Sequence, residues 1–374
     1  MDFPALNVFN QLTNPVVIAS PEGKLVFAND AVRNLILLSN EKPDTGLFRT
    51  YLKNIRAITH QLATDALQND RLEFPLRYKD EVRWILWSVS RSEDGDWIGV
   101  GTDVTEKRLR ELEARHKNKE LAYQQREVIS SIQYAQRIQE AILPDISRLE
   151  KYFQGAFVYY QPRDIVSGDF YWTARKENFM FIAVADCTGH GVPGAMMSMM
   201  GYSFLDNAVR KRGLTTCSEI LTEVDNEIQV VLNQNNNEAR DGMDISLVRI
   251  DLTSLQLQFA GAMRAGYILR DDVLLELPAS KYPLGFFDHI EKVFTNQDFQ
   301  LKAGDNLFLF TDGVVDQFGG ENDKKFNKKR FKEVLGFLGQ LPSEEQGQYV
   351  EYVFQNWKQQ TEQTDDVTVL GITI

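Results

Sequence analysis

The sequence has few of the residues that build disulfide frameworks or zinc sites. Among its 374 residues are two cysteines, Cys187 and Cys217, and four histidines that lie far apart. Their spacing fits neither a set of disulfide bonds nor a Cys/His zinc site. We therefore expect a fold that is held together by its hydrophobic cores, and any metal site must use other ligands.

Positive charge and long apolar runs are also scarce. Asp and Glu (53) outnumber Lys and Arg (41), which gives a formal net charge of −12. This balance argues against binding to nucleic acid or to an anionic membrane surface. No apolar run approaches the roughly 20 residues that cross a bilayer, and the first residues lack the pattern of a secretory signal. We expect a cytoplasmic protein.

The sequence has the composition of ordinary globular domains, and it is long enough for more than one. Hydrophobic residues make up 43% of the chain and charged residues 25%, so each domain can bury its own core. The pattern along the chain predicts an α+β protein in three segments. These are a small domain at 1–105, a helical linker at 106–144 and a large domain at 153–374.

The first segment carries the pattern of a small sheet with helices. Strands are predicted at 15–20 and 24–29, and Asp30 can cap the helix that follows. A helical stretch is predicted at 47–68, and three more strands come after it. The first of these strands contains Pro75, which favours an edge or irregular position.

This order, together with the closing run GVGTDVTEKRLRELE, resembles a PAS domain. The resemblance implies a sensor. The sequence identifies no ligand for it, although haem and flavin versions of the domain exist.

The linker is charged, has no Gly or Pro, and carries apolar side chains at heptad spacing. Four of them fall at every seventh position: Leu121, Val128, Ala135 and Ile142. A seam of this kind packs against a partner helix, so we predict a coiled coil that forms a homodimer through 104–143. Pro144 ends the helix. The alternative is a solvated helix that lies on one of the chain's own domains.

The third segment alternates apolar strand-like runs with helical stretches. Helices are predicted near 194–212, 216–233 and 328–360, and one of the predicted strands covers 292–299. Many strands with clustered helices predict packed sheets that are covered by layers of helices.

Aspartates recur at the ends of these strands, beside Gly or a polar turn. They are Asp169 in VSGDFYW, Asp186 in FMFIAVAD, Asp312 in NLFLFTD, and Asp365 and Asp366 before VTVLGITI. Carboxylates without His or Cys partners select hard ions such as Mg2+ or Mn2+. Two such ions can share a water and lower its pKa, so that the hydroxide attacks phosphorus. A single aspartate at a strand end is more often a turn former or a helix cap.

Four motifs in order, GDFYW, ADCTGHGVPGAMMS, FLFTDGVVD and TDDVTVLGI, resemble the SpoIIE-like branch of the metal-dependent protein phosphatase (PPM) superfamily. The run SIQYAQRIQEAILP before them is typical of the approach to that domain. The resemblance implies a two-sheet α-β-β-α domain and two divalent cations, Mn2+ or Mg2+. It also implies hydrolysis of phosphoserine or phosphothreonine on a regulator protein, such as an anti-sigma-factor antagonist.

Roles for individual residues follow from this resemblance. It implies that Asp186 bridges the two metals, with the main-chain carbonyl of Cys187 beside it. It places Asp312 and Asp365 at the second metal, and Asp169 at the first, directly or through water. With Asp186 and Asp312 as the catalytic pair, the domain needs no protein nucleophile, and the sequence contains no Cys-x5-Arg loop.

Other residues near these motifs have two interpretations each. Asp366 lies one position after Asp365, the residue that aligns with the family's metal ligand, and is expected to be structural. Arg163 either binds the substrate phosphate as a bidentate fork or forms a surface ion pair. His190 is either a general acid or a positioned loop residue. The segment AGAMRAGYIL stands where many relatives have Asn-Ala-Gly-His-Pro, so contacts of that loop with substrate are expected to differ.

These observations favour a sensor-regulated phosphatase. The alternative is a catalytically weak scaffold that binds a partner protein through the same fold. The four filled acidic positions favour the enzyme. A nucleotide cyclase is the third possibility, but the sequence shows no purine-recognising residues and no second catalytic motif.

Overall fold

The structure is a computed structural model, and it describes residues 5–21, 25–36, 71–78, 81–233, 241–285 and 291–374. The chain divides into two compact units, Met1–Gln125 and Arg126–Ile374. The helix predicted at 47–68 lies outside the described residues.

The first unit contains an antiparallel sheet of five strands in the order β2-β1-β5-β4-β3. The strands are β1 Val16–Ala19, β2 Leu25–Ala28, β3 Arg71–Tyr78, β4 Glu81–Arg91 and β5 Trp97–Asp103. The strand that contains Pro75 is at the edge of the sheet, as predicted, where the missing N–H of proline costs no ladder bond.

One detail of the first unit corrects the sequence expectation. The helix α1, Asp30–Ile36, is capped by Asn29 and not by Asp30. The side-chain oxygen of Asn29 accepts hydrogen bonds from the backbone N–H groups of Val32, at 3.1 Å, and Val16, at 2.9 Å. Asn29 therefore fixes both the start of the helix and the neighbouring strand.

A single long helix, α2, covers Thr105–Ile142. It begins where the Asp103 carboxylate accepts a hydrogen bond from the Thr105 N–H at 2.9 Å, and it ends before Pro144, as predicted. The heptad residues Leu121 and Val128 are 52% and 59% exposed. None of the helices in the described part of the chain has the length and hydrophobicity of a membrane span.

The second unit contains two antiparallel sheets of five strands each. The first sheet, in the order β13-β10-β9-β8-β7, consists of β7 Asp169–Lys176, β8 Phe179–Cys187, β9 Met243–Asp251, β10 Gln256–Ala262 and β13 Gln297–Gln300. The second sheet, in the order β12-β11-β14-β17-β6, consists of β6 Gly155–Gln161, β11 Gly266–Arg270, β12 Val273–Leu277, β14 Asn306–Phe310 and β17 Val367–Thr373.

Helices cover the outer face of each sheet. After α2, a 3-10 helix covers Ile146–Lys151. The described α-helices that follow it are α3 Gly191–Asp206, which continues as a π-helical turn at Asn207–Lys211, α4 Cys217–Asn233, the short α5 Gly313–Asp316, α6 Lys328–Leu338 and α7 Ser343–Lys358. A small hairpin pairs β15, Phe318–Gly319, with β16, Lys324–Lys325. The helical region predicted near 328–360 is thus two helices.

The alternation of side chains along β8 shows how the layers are held together. Phe181 and Ala183 belong to the core between this sheet and the helices α3 and α4. Ile182 and Val184 belong to the core between the two sheets. A third core packs the second sheet against α6 and α7. Because successive strand residues point to opposite faces, one apolar strand serves two cores, and the layers stack as α-β-β-α, as expected.

The predicted strand at 292–299 is mostly irregular, which corrects that expectation. Only Gln297–Gln300 forms a strand, because two side chains before it bond to α4 instead. The Lys292 ammonium forms a buried ion pair with Asp225 at 2.7 Å, and the Asn296 side-chain oxygen accepts the Ser218 N–H at 2.8 Å. These bonds hold the segment against the helix.

Candidate active site

Three aspartates form a row across one end of the first sheet. Asp186 on β8 is paired in register with Asp169 on β7 and with Asp244 on β9. Directly opposed residues on neighbouring strands lie about 5 Å apart at Cβ, so three carboxylates are crowded together. Asp169 begins its strand, which corrects the expectation that each acidic residue ends or follows one.

Sequence reasoning missed Asp244. It is the second residue of β9, as Asp169 is the first residue of β7, and both follow a glycine within two residues and precede an apolar run. A search for acidic residues at both ends of each strand would have found it.

The second sheet contributes acidic residues to the same end of the sandwich. Asp312 lies two residues after β14, and Asp365 lies two residues before β17. These strands are antiparallel neighbours, with Phe310 paired to Val369, so the end of one strand lies beside the start of the other.

Asp169 joins the two sheets at this point. Its Oδ2 accepts hydrogen bonds from the hydroxyl groups of Thr311, at 2.6 Å, and Thr368, at 2.8 Å. The side chain is almost fully buried. Burial, and then the charge of Asp186, raise the pKa of Asp169 well above its ordinary value, although both threonine bonds favour the carboxylate. Asp169 is therefore a buried acid held in place by hydroxyl groups of the other sheet.

A single guanidinium connects the remaining acids. Nη2 of Arg264 lies 2.6 Å from Oδ2 of Asp186, 2.6 Å from Oδ2 of Asp312 and 3.2 Å from Oδ2 of Asp244. Asp186 and Asp312 belong to different sheets, so the strand ends do converge on one point. Sequence reasoning did not single out Arg264, although it lies in AGAMRAGYIL, the segment that departs from the usual pattern of the relatives.

The cluster keeps an excess of negative charge in spite of this arginine. Burial raises the pKa of Asp186 to about 8 against the lowering effect of Arg264, and the charges of Asp312, Asp365 and Asp244 raise it further. Burial is also the first cause of the raised pKa values of Asp244 and Asp365. One guanidinium does not balance these carboxylates, so the site attracts further cations.

The donor set suits a divalent ion, although it is not arranged around one. Carboxylate and carbonyl oxygens are the ligands of Mg2+ and Mn2+. Within the described ranges, no group of three or more His, Cys, Asp and Glu side chains is already spaced for a metal ion. Nη2 of Arg264 lies where Asp186, Asp244 and Asp312 come together. The residues fit a metal chemically, and the space between them is taken by the guanidinium.

Metal binding at neutral pH is expected to release protons. Because burial raises the pKa of Asp186 to about 8, much of this carboxyl is protonated at pH 7, and a ligand must be deprotonated to bind a metal. Calorimetry of Mn2+ binding in buffers of different ionisation enthalpy should show proton release at pH 7 that falls toward zero by about pH 9.5. Equal heats in all buffers at pH 7 would contradict this.

Glycines bring the loop after β8 close to the start of β7. A Cβ on Gly194 would collide with the carbonyl oxygen of Gly189 and lie 3.0 Å from Cα of Gly168. A Cβ on Gly168 would lie 3.2 Å from the carbonyl oxygen of Cys187. The absence of side chains therefore places the Cys187 carbonyl beside the acidic row. Burial raises the pKa of the Cys187 thiol, so the thiol itself is an unreactive core group.

Both carboxylate oxygens of Asp366 accept hydrogen bonds from backbone N–H groups. Its Oδ1 accepts the Arg163 N–H and its Oδ2 accepts the Gly168 N–H, both at 2.7 Å. This arrangement fits the structural role expected for Asp366. It fixes the loop between β6 and β7, on which the Arg163 side chain is exposed.

His190 lies immediately before α3 and is half-exposed. Its Nδ1 is 2.7 Å from Oδ2 of Asp164. The pair orients the imidazole ring and leaves Nε2 on the other side of the ring.

The end of α2 is bonded to the loop that leads into β7 and Asp169. Gln139, which is buried, accepts the Ser167 N–H at 3.1 Å and donates to the Ser167 carbonyl at 2.6 Å and to the Ser198 hydroxyl at 2.8 Å. One amide side chain thus ties the helix both to the start of β7 and to α3.

Replacing Gln139 by leucine should destabilise the second unit. Gln139→Leu leaves the buried N–H and C=O of Ser167 without this partner, and an unpaired buried polar group costs about 1–3 kcal/mol. Urea unfolding of the full chain should show a loss in that range. Gln136→Leu, on the same helix, removes only a solvated bond to Glu140 and should change the free energy of unfolding by less than about 0.5 kcal/mol. Equal effects of the two substitutions would contradict the contact's importance.

The comparisons with known proteins agree with this geometry. Residues 176–374 match the family described as Stage II sporulation protein E (SpoIIE). The chain is 27% identical over 198 residues to the phosphoserine phosphatase RsbU of Bacillus subtilis (strain 168), an alignment that covers 51% of this chain and 55% of RsbU. The chain therefore spans about half the length of that relative. The SiaA-PP2C domain of Pseudomonas aeruginosa superimposes with a TM-score of 0.62 at 32% identity, over 68% of this chain and 99% of that domain.

The α-β-β-α sandwich with acidic residues at one end defines a phosphatase domain of the metal-dependent class of hydrolases. The chain belongs to the SpoIIE family.

Proposed function

We propose that the chain is a protein serine/threonine phosphatase that hydrolyses phosphoserine or phosphothreonine on a regulator protein. The observation that carries this proposal is the shared contact of Asp186 and Asp312 with one guanidinium nitrogen. It supports a common site at which strand ends of both sheets converge. Three aspartate carboxyl groups gathered around one arginine support binding of divalent cations.

The ligand assignment extends this proposal to individual residues. Asp186, with the main-chain carbonyl of Cys187, would bridge two ions, Mn2+ or Mg2+. Asp312 and Asp365 would complete one coordination shell, and Asp169 would serve the other, directly or through water. Bound divalent cations supply the positive charge that activates a water and stabilises the phosphoryl group.

Other residues would serve binding and proton transfer. Arg163, exposed on the loop that Asp366 fixes, can reach outward to a substrate phosphate as a bidentate fork. His190, which contacts Asp164 at 2.7 Å, would hold a proton for the leaving hydroxyl group of serine or threonine, or else serve as a positioned loop residue.

The substrate class rests on the relatives. RsbU is named a phosphoserine phosphatase, which favours phosphoserine as the group that is hydrolysed. A phosphorylated regulator in a partner-switching pathway, such as an anti-sigma-factor antagonist, is the proposed partner. The cytoplasmic location remains a prediction from the sequence.

Phosphate release from a phosphoserine peptide tests the proposal. The full chain should release phosphate with Mn2+ or Mg2+ and none with EDTA. A chain that binds Mn2+ without turning over peptide or nitrophenyl phosphate would instead be the partner-binding scaffold. Incubation with ATP or GTP should yield no cyclic nucleotide.

Regulation by the first unit is part of the proposal. The five-stranded antiparallel sheet and the exit into α2 support a PAS-like sensor at 1–105, and its ligand is not identified. Gln139, in the last turns of α2, bonds to Ser167 beside the acidic row. A shift of this helix would therefore move the loop that leads into β7 and Asp169. An absorption spectrum of the purified chain tests for a haem or flavin.

We predict that the chain is a dimer through 104–143. Leu121 and Val128 are exposed at heptad spacing, and apolar seams of this kind pack against a second helix. Light scattering at micromolar concentration should give twice the chain mass, and Leu121→Lys with Val128→Lys should give a monomer. Ser130→Lys, off the seam on the same helix, should remain a dimer. A monomeric wild-type chain would rule out the coiled coil.

A further inference from the structure

Arg264 is held at the acidic cluster by an unusual turn. It follows β10 directly after Met263, which has a φ of 60°. Left-handed backbone in a residue other than glycine is strained, and such strain persists only where the surrounding structure enforces it. The Arg264 N–H donates to the Ala262 carbonyl at 2.7 Å, and the Ser246 hydroxyl donates to the Arg264 carbonyl at 3.0 Å. The main chain of Arg264 is therefore fixed.

The side chain of Arg264 depends on its carboxylates. It is largely buried, and within the described part of the chain its Nε has no hydrogen-bond partner. Its ion pairs are those with Asp186, Asp244 and Asp312. No other Lys or Arg of the described residues forms an ion pair with these three acids. A buried guanidinium that loses such partners must find another anion or return to water.

We propose that Arg264 is an internal counter-cation that exchanges partners. Without metal it holds Asp186, Asp244 and Asp312 together. When these carboxylates bind divalent ions, the guanidinium leaves them and binds the phosphate group of the substrate. The inference rests on the metal site of the proposed function, and it goes beyond the ligands and the phosphate fork assigned above.

Charge and geometry support both halves of the exchange. A guanidinium 2.6 Å from two ligand oxygens lies where a divalent ion must bind, and like charges at that distance repel strongly. The fixed main chain prevents Arg264 from moving far, so it stays within reach of a group bound at the ions. Two oxygens of a tetrahedral phosphate group can accept the two parallel N–H bonds of the planar guanidinium fork.

The test measures two affinities that should change in opposite directions. Arg264→Gln keeps hydrogen-bonding groups and removes the charge. Electron paramagnetic resonance of free Mn2+ should show at least about tenfold tighter Mn2+ binding by this variant, a change of about 1.4 kcal/mol. Calorimetry with saturating Mg2+ should show at least about tenfold weaker binding of inorganic phosphate.

Two further variants separate charge from shape. Arg264→Lys keeps the charge and loses the fork, so its Mn2+ affinity should stay near the wild-type value while phosphate binding weakens. Arg212→Ala removes an arginine that pairs with Glu223 and Glu227 away from the cluster. Both affinities of this control should stay within about twofold of wild type.

The outcomes are distinguishable. Weaker binding of both Mn2+ and phosphate by Arg264→Gln would mean a structural role and overturn the inference, as would unchanged Mn2+ or phosphate affinity. If that variant does not fold, the Nε–H resonance of Arg264 in the wild-type chain decides instead. It should shift on addition of Mg2+, and an unshifted resonance at saturation would overturn the inference. A wild-type chain that binds no Mn2+ contradicts the proposed function, and this inference with it.

Discussion

Asp186→Asn should abolish phosphatase turnover and leave the metal-free chain at least as stable as the wild type. Asparagine keeps the volume of the side chain but removes the charge of the proposed bridging ligand. Metal contributions to hydrolysis are large, so we expect less than about a tenth of the wild-type rate to remain. Phosphate release from a phosphoserine peptide with saturating Mn2+ measures this.

The expected effect of Asp186→Asn on the stability of the metal-free chain follows from the direction of the pKa shift. Burial raises the pKa of Asp186 to about 8 in the folded chain, above its value in the unfolded chain. Folding then favours the protonated form, and the carboxylate destabilises the metal-free fold increasingly as pH rises from about 4 to 8. In EDTA at pH 8.5, Asp186→Asn should therefore melt at the same temperature as the wild type or higher.

Asp251→Asn is the matched control. Asp251 ends β9 and accepts backbone hydrogen bonds from Thr253 and Ser254, contacts that an asparagine oxygen can also make. Its turnover should equal that of the wild type. A rate above about a tenth of wild type for Asp186→Asn, or a much lower melting temperature in EDTA, would contradict the ligand assignment.

Gly194→Ala should impair both stability and metal binding. The added Cβ would collide with the Gly189 carbonyl and crowd Gly168, so the turn at Gly189, which directly follows the end of β8 at Cys187, must move. Overpacking of this kind costs about 1–3 kcal/mol. We expect a loss of that size in urea unfolding, together with weaker Mn2+ binding and at least about a tenfold loss of turnover.

Gly336→Ala provides the control for this substitution. Gly336 lies inside α6, and a Cβ there meets open space. Alanine in a helix interior should stabilise the chain by up to about 1 kcal/mol and leave turnover unchanged. If Gly194→Ala behaved like Gly336→Ala, the close approach of the loop to β7 would have no role in the site.

The sequence predicted those parts of the fold that local patterns encode. The apolar run of β8, with Asp186 near its end, can be recognised in the sequence, because a strand buried on both faces is apolar throughout. Pro75 predicted an edge strand, and the motifs predicted the sandwich. The assignment of the α1 cap was wrong because Asn29 and Asp30 are both good capping residues. The choice depends on which side chain also bonds Val16, a residue of a neighbouring strand.

The candidate site was only partly visible for a physical reason. Asp244 enters it through register with Asp186, and register is a property of paired strands that a single strand does not carry. Arg264 joins the site because a strained turn at Met263 brings its side chain to aspartates on two other strands. The position of Asp244 at the start of an apolar run is visible in the sequence, but both residues acquire their roles through contacts with distant parts of the chain.

Diffraction from crystals grown with Mn2+ and recorded at the manganese absorption edge tests the central claim most directly. We predict two anomalous peaks bridged by Asp186, one of them in contact with Asp312 and Asp365, and a guanidinium of Arg264 that no longer contacts Asp186. Bound manganese elsewhere, or none in contact with both Asp186 and Asp312 at saturating Mn2+, would contradict a metal centre built from the ends of the two sheets.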